Sequence, residues 1–177
     1  FLTGDDATGF TDVTGTTTIT ALDDVLFALT ATDNSFGGLI TLTGANVVMD
    51  AKTDLSFGTI SLDDGLFEID TLGAVNFGGA FSGVETVDLN SVSGDVTQTA
   101  AIVVGTRFSA TVQDGNLTLN EALNNFATID VDASDAITLR DANDLVLDGI
   151  DAAALTLTVG GGLTDTDATV ITGLTTL

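Results

Sequence analysis

Carboxylates are the side chains with the most chemistry to offer here. There are 26 Asp and Glu against three cations, Lys52, Arg107 and Arg140, and there is no His or Cys. Without an imidazole or a thiol, Ser–His and Cys–His nucleophile systems cannot be assembled. Carboxylate pairs do occur, at Asp23/Asp24, Asp63/Asp64 and Asp130/Asp132. Two carboxylates can in principle hydrolyse a glycoside, one as acid and one as nucleophile or base. An enzyme acting on an acidic polysaccharide would also need cationic side chains at its site, and three scattered cations are too few. The expectation is a protein that is not an enzyme.

Calcium is the better use of these oxygens, because Asp and Asn are hard ligands. Asp141-Ala-Asn-Asp144 and Asp130-Val-Asp132 supply the candidates, so Asp130, Asp132, Asp141 and Asp144 are the metal-ligand candidates. The Gly-Gly-x-Gly-x-Asp nonapeptide of calcium-binding β-rolls is absent, as is the EF-hand loop. Gly160-Gly-Gly162 reads as a corner. No cofactor is required by the sequence, with structural calcium as the one candidate and solvated surface Asp as the simpler account. Thr-x-Thr pairs at Thr16/Thr18, Thr18/Thr20, Thr41/Thr43 and Thr156/Thr158 could order water on a flat face and bind ice. Their repeat equivalents drift, however, Thr41/Thr43 becoming Val131/Ala133, so ordinary outward Thr is favoured. Phe36, Phe57, Phe77 and Phe126 could offer sugars a stacking platform, but periodic Phe more often forms a core column.

Some framework must position these groups, and composition says what kind. The chain has 177 residues, 44% hydrophobic, with a formal charge of -23 and no Pro, Cys, Trp or Tyr. Nucleic-acid phosphates need Lys and Arg to displace their counterions, so this charge excludes them as partners. It also argues against an anionic membrane surface, and no run of about 18 apolar residues offers a transmembrane helix. So acidic a surface resists self-association unless salt or divalent cations screen it, which suits a salty exterior. Lack of Cys leaves no disulfide framework and fits a bacterial surface protein. The chain begins at Phe1 without a signal peptide and is expected to be a mature product or an excerpt of something longer.

Thr, Val, Ile, Gly and Asp dominate, and the β-branched residues favour strands. Short alternating runs of about 3–6 residues recur and are closed by turn-forming Gly, Asp or Asn. They include Thr16-Thr-Thr-Ile-Thr20, Leu39-Ile-Thr-Leu-Thr43, Leu117-Thr-Leu119, Ala136-Ile-Thr-Leu139 and Leu155-Thr-Leu-Thr-Val159. Sliding the chain by 90 residues superposes its halves, giving one domain, 1–177, made of two units, 1–90 and 91–177. Gly4/Gly94, Asp5/Asp95, Leu29/Leu119, Asn34/Asn124, Phe36/Phe126, Asp54/Asp144, Leu55/Leu145 and Ile60/Ile150 coincide, with conservative matches such as Leu39/Ile129 and Phe57/Leu147. Within a unit, Ser35-Phe-Gly-Gly38, Ser56-Phe-Gly58 and Asn76-Phe-Gly-Gly79 recur every 20 or 21 residues.

Such a period is that of a β-solenoid. The expected fold is all-β: a single parallel β-solenoid (β-helix), right-handed by the general crossover preference. If the Phe36 and Phe126 positions are equivalent, a whole number of coils fits the unit, four of about 22 residues, or about eight in all. At the strand spacing these make a rod about 38 Å long. Inward columns of Leu, Ile, Val and Phe are expected, with Thr, Asp and Asn outside. Pro is absent because every strand must donate its N–H to a neighbouring coil.

Ala136-Ile-Thr-Leu-Arg-Asp-Ala-Asn-Asp-Leu-Val-Leu147, Ala154-Leu-Thr-Leu-Thr-Val-Gly-Gly-Gly-Leu-Thr-Asp165 and Val170-Ile-Thr-Gly-Leu-Thr-Thr-Leu177 resemble the β-solenoid repeats of giant bacterial surface proteins, of the filamentous-haemagglutinin-like and autotransporter-adhesin type, as does Ser93-Gly-Asp-Val-Thr-Gln-Thr-Ala-Ala-Ile-Val-Val-Gly105. The resemblance implies a secreted protein, extracellular or at the cell surface, serving as stalk, filament or adhesin. Neither end carries a helix, a Pro or a charged plug, and the repeat pattern resumes at Phe1 almost in phase after Leu177. The expected partner is therefore the chain itself, stacked head to tail, or neighbouring repeats of a longer chain. The functional expectation is an extracellular, filament-forming or stalk solenoid. An adhesin module for glycan or host surface is the alternative, and ice binding the lesser one.

Overall fold

The computed structural model describes residues 12–27 and 34–177. The matches at Gly4, Asp5 and Leu29, and the chain start at Phe1, lie outside the described residues. Those described are all-β, seventeen strands and no helix, and every ladder between strands is parallel.

Registers trace the coils directly. Val25 stacks on Val47, then Phe67, Val87, Phe108, Ile129, Leu147 and Asp165. That column has eight positions, so the chain is a β-solenoid of about eight turns. A second column runs Met49, Ile69, Leu89, Ala110, Val131, Ile150 and Thr169. A third runs Leu55, Val75, Val96, Leu117, Ile137, Leu155 and Thr175. From Val25 to Leu157 the residues of these columns form one continuous buried core.

Coil length differs from the expected value. The step between stacked residues ranges from 17 at Leu39/Ser56 to 23 at Thr17/Ile40, and the Val25–Asp165 column averages 20. A 90-residue unit is thus about four and a half coils, not four. Leu55 stands in the third column, whereas its repeat partner Leu145 belongs to the run of Leu147 in the first. The physical reason is that every run presents the same alternation of inward and outward side chains. A shift by a fraction of a coil therefore still lands apolar residues inside, and Leu55/Leu145, Phe57/Leu147 and Ile60/Ile150 are all buried. The pairing of Leu39 with Ile129 fails: Leu39 is 46% exposed and Ile129 is 0% exposed. A slip of one residue in a strand reverses the side a residue faces.

The strands also run longer than the short runs suggested. Leu55–Thr71 and Asn125–Asp141 are unbroken for 17 residues, because register irregularities at Ser61/Gly65 and Ala133/Ala136 bend the strand round a corner without ending it. Gly79 is needed where coils approach closely: a Cβ there would lie 2.3 Å from the backbone carbon of Gly58.

Phe36, Phe57, Phe77 and Phe126 are all buried, as a core column requires. Phe57 and Phe77 stack with ring centroids 5.9 Å apart, and Phe67 meets Phe57 edge-on at 5.1 Å. Phe36 stands apart from that column. It pairs with Val13, and it is Ile40 that lies on Phe57.

Candidate functional site

The carboxylates sort into two structural classes. The first sits at corners. There the chain turns and the ladder between coils is interrupted, leaving a backbone N–H of the next coil to be satisfied. Asp54 Oδ1 accepts the N–H of Ala74 at 2.9 Å, and Asp95 Oδ1 that of Asn116 at 2.8 Å. Asn116 Oδ1 accepts Ala136 N–H at 3.2 Å, and Asp144 Oδ1 accepts Gly162 N–H at 2.6 Å. Each bond spans 18 to 21 residues, one coil. Asp141 is more enclosed, 2% exposed, with Oδ1 taking the Phe126 N–H at 2.7 Å and Oδ2 the Asn143 N–H at 2.8 Å.

The second class forms outward ladders. Asp50 pairs in register with Asp70, Glu68 with Asp88, and Asp132 with Asp151. Like charges directly opposite each other are destabilising. Burial first, then Asp70 and Glu68, holds the Asp50 carboxyl above the ordinary range. Burial and Asp88 raise Asp70. Burial, Glu68 and Asp130 raise Asp88, with Arg107 opposing. Arg107 supplies relief on this surface. Its guanidinium reaches across two coils, pairing Nη2 with Asp130 and Nη1 with Asp148 at 2.9 Å.

The four candidate metal ligands are accordingly spent in different ways. Asp130 is paired with Arg107, Asp132 is exposed beside it, and Asp141 and Asp144 hold backbone N–H groups at a corner. Among the described residues no group of three or more Asp or Glu side chains is arranged to hold a metal ion. Asp63 and Asp64 are exposed on a bend, and Asp24 Oδ1 accepts the Asn46 side-chain N–H at 2.7 Å. A depression of about 280 Å³ bounded by Gly37, Gly38, Thr53 and Ser56 contains one carboxylate, Asp54, already engaged by Ala74.

The residues that the sequence reading missed are two buried amides. Asn34 and Asn124 are 1% and 0% exposed. They are the 90-residue equivalents of one another, and the main-chain carbonyl of each accepts a backbone N–H, from Lys52 and Ala142 respectively. Asn124 exchanges two hydrogen bonds with Gln98, both 2.8 Å, and also accepts the Ile102 N–H at 2.9 Å and donates to the Leu119 carbonyl at 3.1 Å. Identity of Asn at both positions, each two residues before a buried Phe, was the available signal.

The Thr ranks differ from the expected pattern. In the 20-residue register Thr97, Thr118, Thr138, Thr156 and Thr176 form one outward column, continuing Ser56 and Asn76. The 90-residue comparison hid this column because it crosses from one run to another.

No curated protein and no solved structure matches the chain. A family model described as repeats of unknown function (DUF5649) matches residues 68–131 and again 134–177. With most of the sequence matched, the chain belongs to this repeat family.

Proposed function

We propose that this chain is a non-catalytic structural rod, a stalk or filament segment of an extracellular or cell-surface array. The observation that supports it is the continuity of the columns. From Val25 to Leu157 the inward residues of successive coils fill one core, and the corner carboxylates bond the next coil rather than forming a reactive cleft. The outward ladders of like charge suit a solvated surface in a salty medium. The likeness to giant bacterial surface proteins agrees with this reading, and the repeat family agrees with its repetitive construction alone. The proposed partners along the axis are neighbouring coils of the same kind on the side away from Leu163–Thr176. The adhesive alternative has less behind it, since Phe36, Phe57, Phe77 and Phe126, the candidate sugar platform, are buried.

A load-bearing test suits a stalk. Pulled from its two ends by single-molecule force spectroscopy, a solenoid should unspool coil by coil. Each coil of 20 residues releases about 65 Å of chain, from about 3.4 Å per extended residue less the coil rise. Stepwise lengthening of this size is expected. A single rupture without steps, or tight binding of the chain to a neutral glycan on an array, would overturn the proposal.

A further inference from the structure

Three of the hydrophobic columns turn polar before the described chain ends. Leu147 stacks under Asp165, Ile150 under Thr169 and Leu155 under Thr175. In-register parallel partners point the same way, so these three polar side chains occupy inward positions. Asp165 and Thr169 face each other there, with Thr169 Oγ1 3.5 Å from Asp165 Oδ1. The 90-residue repeat gives the same result independently. Asp165 and Asp167 stand where the first unit has Val75 and Phe77, both 0% exposed. Apolar character persists at Leu163 and Ile171, which sit on Leu145 and Ala152.

This coil nevertheless covers what lies beneath it. Leu145, Leu147, Ile150, Ala152, Leu155 and Leu157 are all 5% exposed or less. A coil that shelters the core below and offers Asp and Thr above has the properties of a lid on the core. A further coil laid on it would have to desolvate the Asp165 carboxylate without a cation to pair it, and burying an unpaired charge is unfavourable.

We infer that the coil Leu163–Thr176 is a closing layer, whose three polar inward positions make its outer face a poor surface for end-to-end addition of a second copy. The inference rests on the rod reading and places a boundary within it. Open backbone edges still offer hydrogen bonds to a neighbour, but only Leu163 and Ile171 keep apolar side chains at inward positions there, against Asp165, Thr169 and Thr175.

Sedimentation velocity of the full 177-residue chain at micromolar concentration tests this, at about 0.15 M and about 1 M salt, the latter to screen repulsion between acidic copies. The chain is expected to remain monomeric in both. The variant Asp165→Val/Thr169→Ile/Thr175→Leu restores the columns and should associate end to end at high salt, roughly a hundredfold or more tighter, from the apolar area of three side chains. Should the triple variant fail to fold, Asp165→Val compared with Asp165→Asn gives the same contrast, because only Val extends the core. Wild-type chains that oligomerise at high salt as strongly as the variant would overturn the closing layer. So would a folded Val variant that stays monomeric. Coil-by-coil unspooling together with wild-type self-association would remove the closing layer and leave the rod standing.

Discussion

Asn124→Ala tests most sharply how a polar group can sit inside a stack of apolar columns. The side chain is 0% exposed and makes four hydrogen bonds. Truncation strips partners from the Ile102 N–H and the Leu119 carbonyl, both belonging to fully buried residues. Each buried group left unsatisfied costs about 1–3 kcal/mol. The Gln98 amide loses two bonds, but it is only half-buried and can turn to water, so its loss adds little. The expected destabilisation is about 4 kcal/mol, a large share of the roughly 5–15 kcal/mol that holds a typical domain together. Urea unfolding followed by circular dichroism measures it. With a slope of about 2 kcal/mol per molar, the midpoint should fall by about 2 M at unchanged slope. Gln98→Leu should cost much less, because Asn124 retains Ile102 and Leu119. A loss below about 1 kcal/mol for Asn124→Ala would refute the reasoning, since it would mean that the orphaned groups find water or other partners.

Two further outcomes follow from the charged surface. Asp50, Asp70 and Asp88 have raised pKa values, so the folded chain holds their protons more tightly than the unfolded chain does. The stability they contribute is complete below the ordinary Asp range and is lost as pH rises through their raised values. The melting temperature should therefore increase on acidification from about pH 7 to about pH 4, and Asp70→Asn should raise it at neutral pH with the gain disappearing in acid. Arg107→Gln removes both ion pairs, whose partners are 35 to 40% exposed. Solvent screening limits the expected loss to about 1 kcal/mol, and thermal unfolding at about 1 M salt should shrink the difference between variant and parent.

Much of the fold was legible because inward and outward positions alternate with a period of two. Ile137 and Leu139, or Leu155 and Leu157, read as buried from the sequence and are buried. The recurrence of Phe57 and Phe77 at 20 residues named a true stacking pair. The same alternation hid the register, because Leu55 and Leu145 satisfy it equally well on different runs. The acidic candidates were chosen by residue type, and type does not distinguish Asp144, bonded to Gly162 at a corner, from Asp132, standing in water.

Composition and periodicity pointed to a stack of parallel strands, since β-branched alternation that recurs every 20 or 21 residues, with no Pro to interrupt a ladder, is the pattern of a solenoid. Tertiary structure decided which residues meet. Coil length varies by a few residues from turn to turn, and the sum of those variations, carried by corner geometry, sets every contact beyond the coil. That sum turns 90 residues into about four and a half coils, lines up the like-charge pairs on one surface, and brings Asp165 over Leu147.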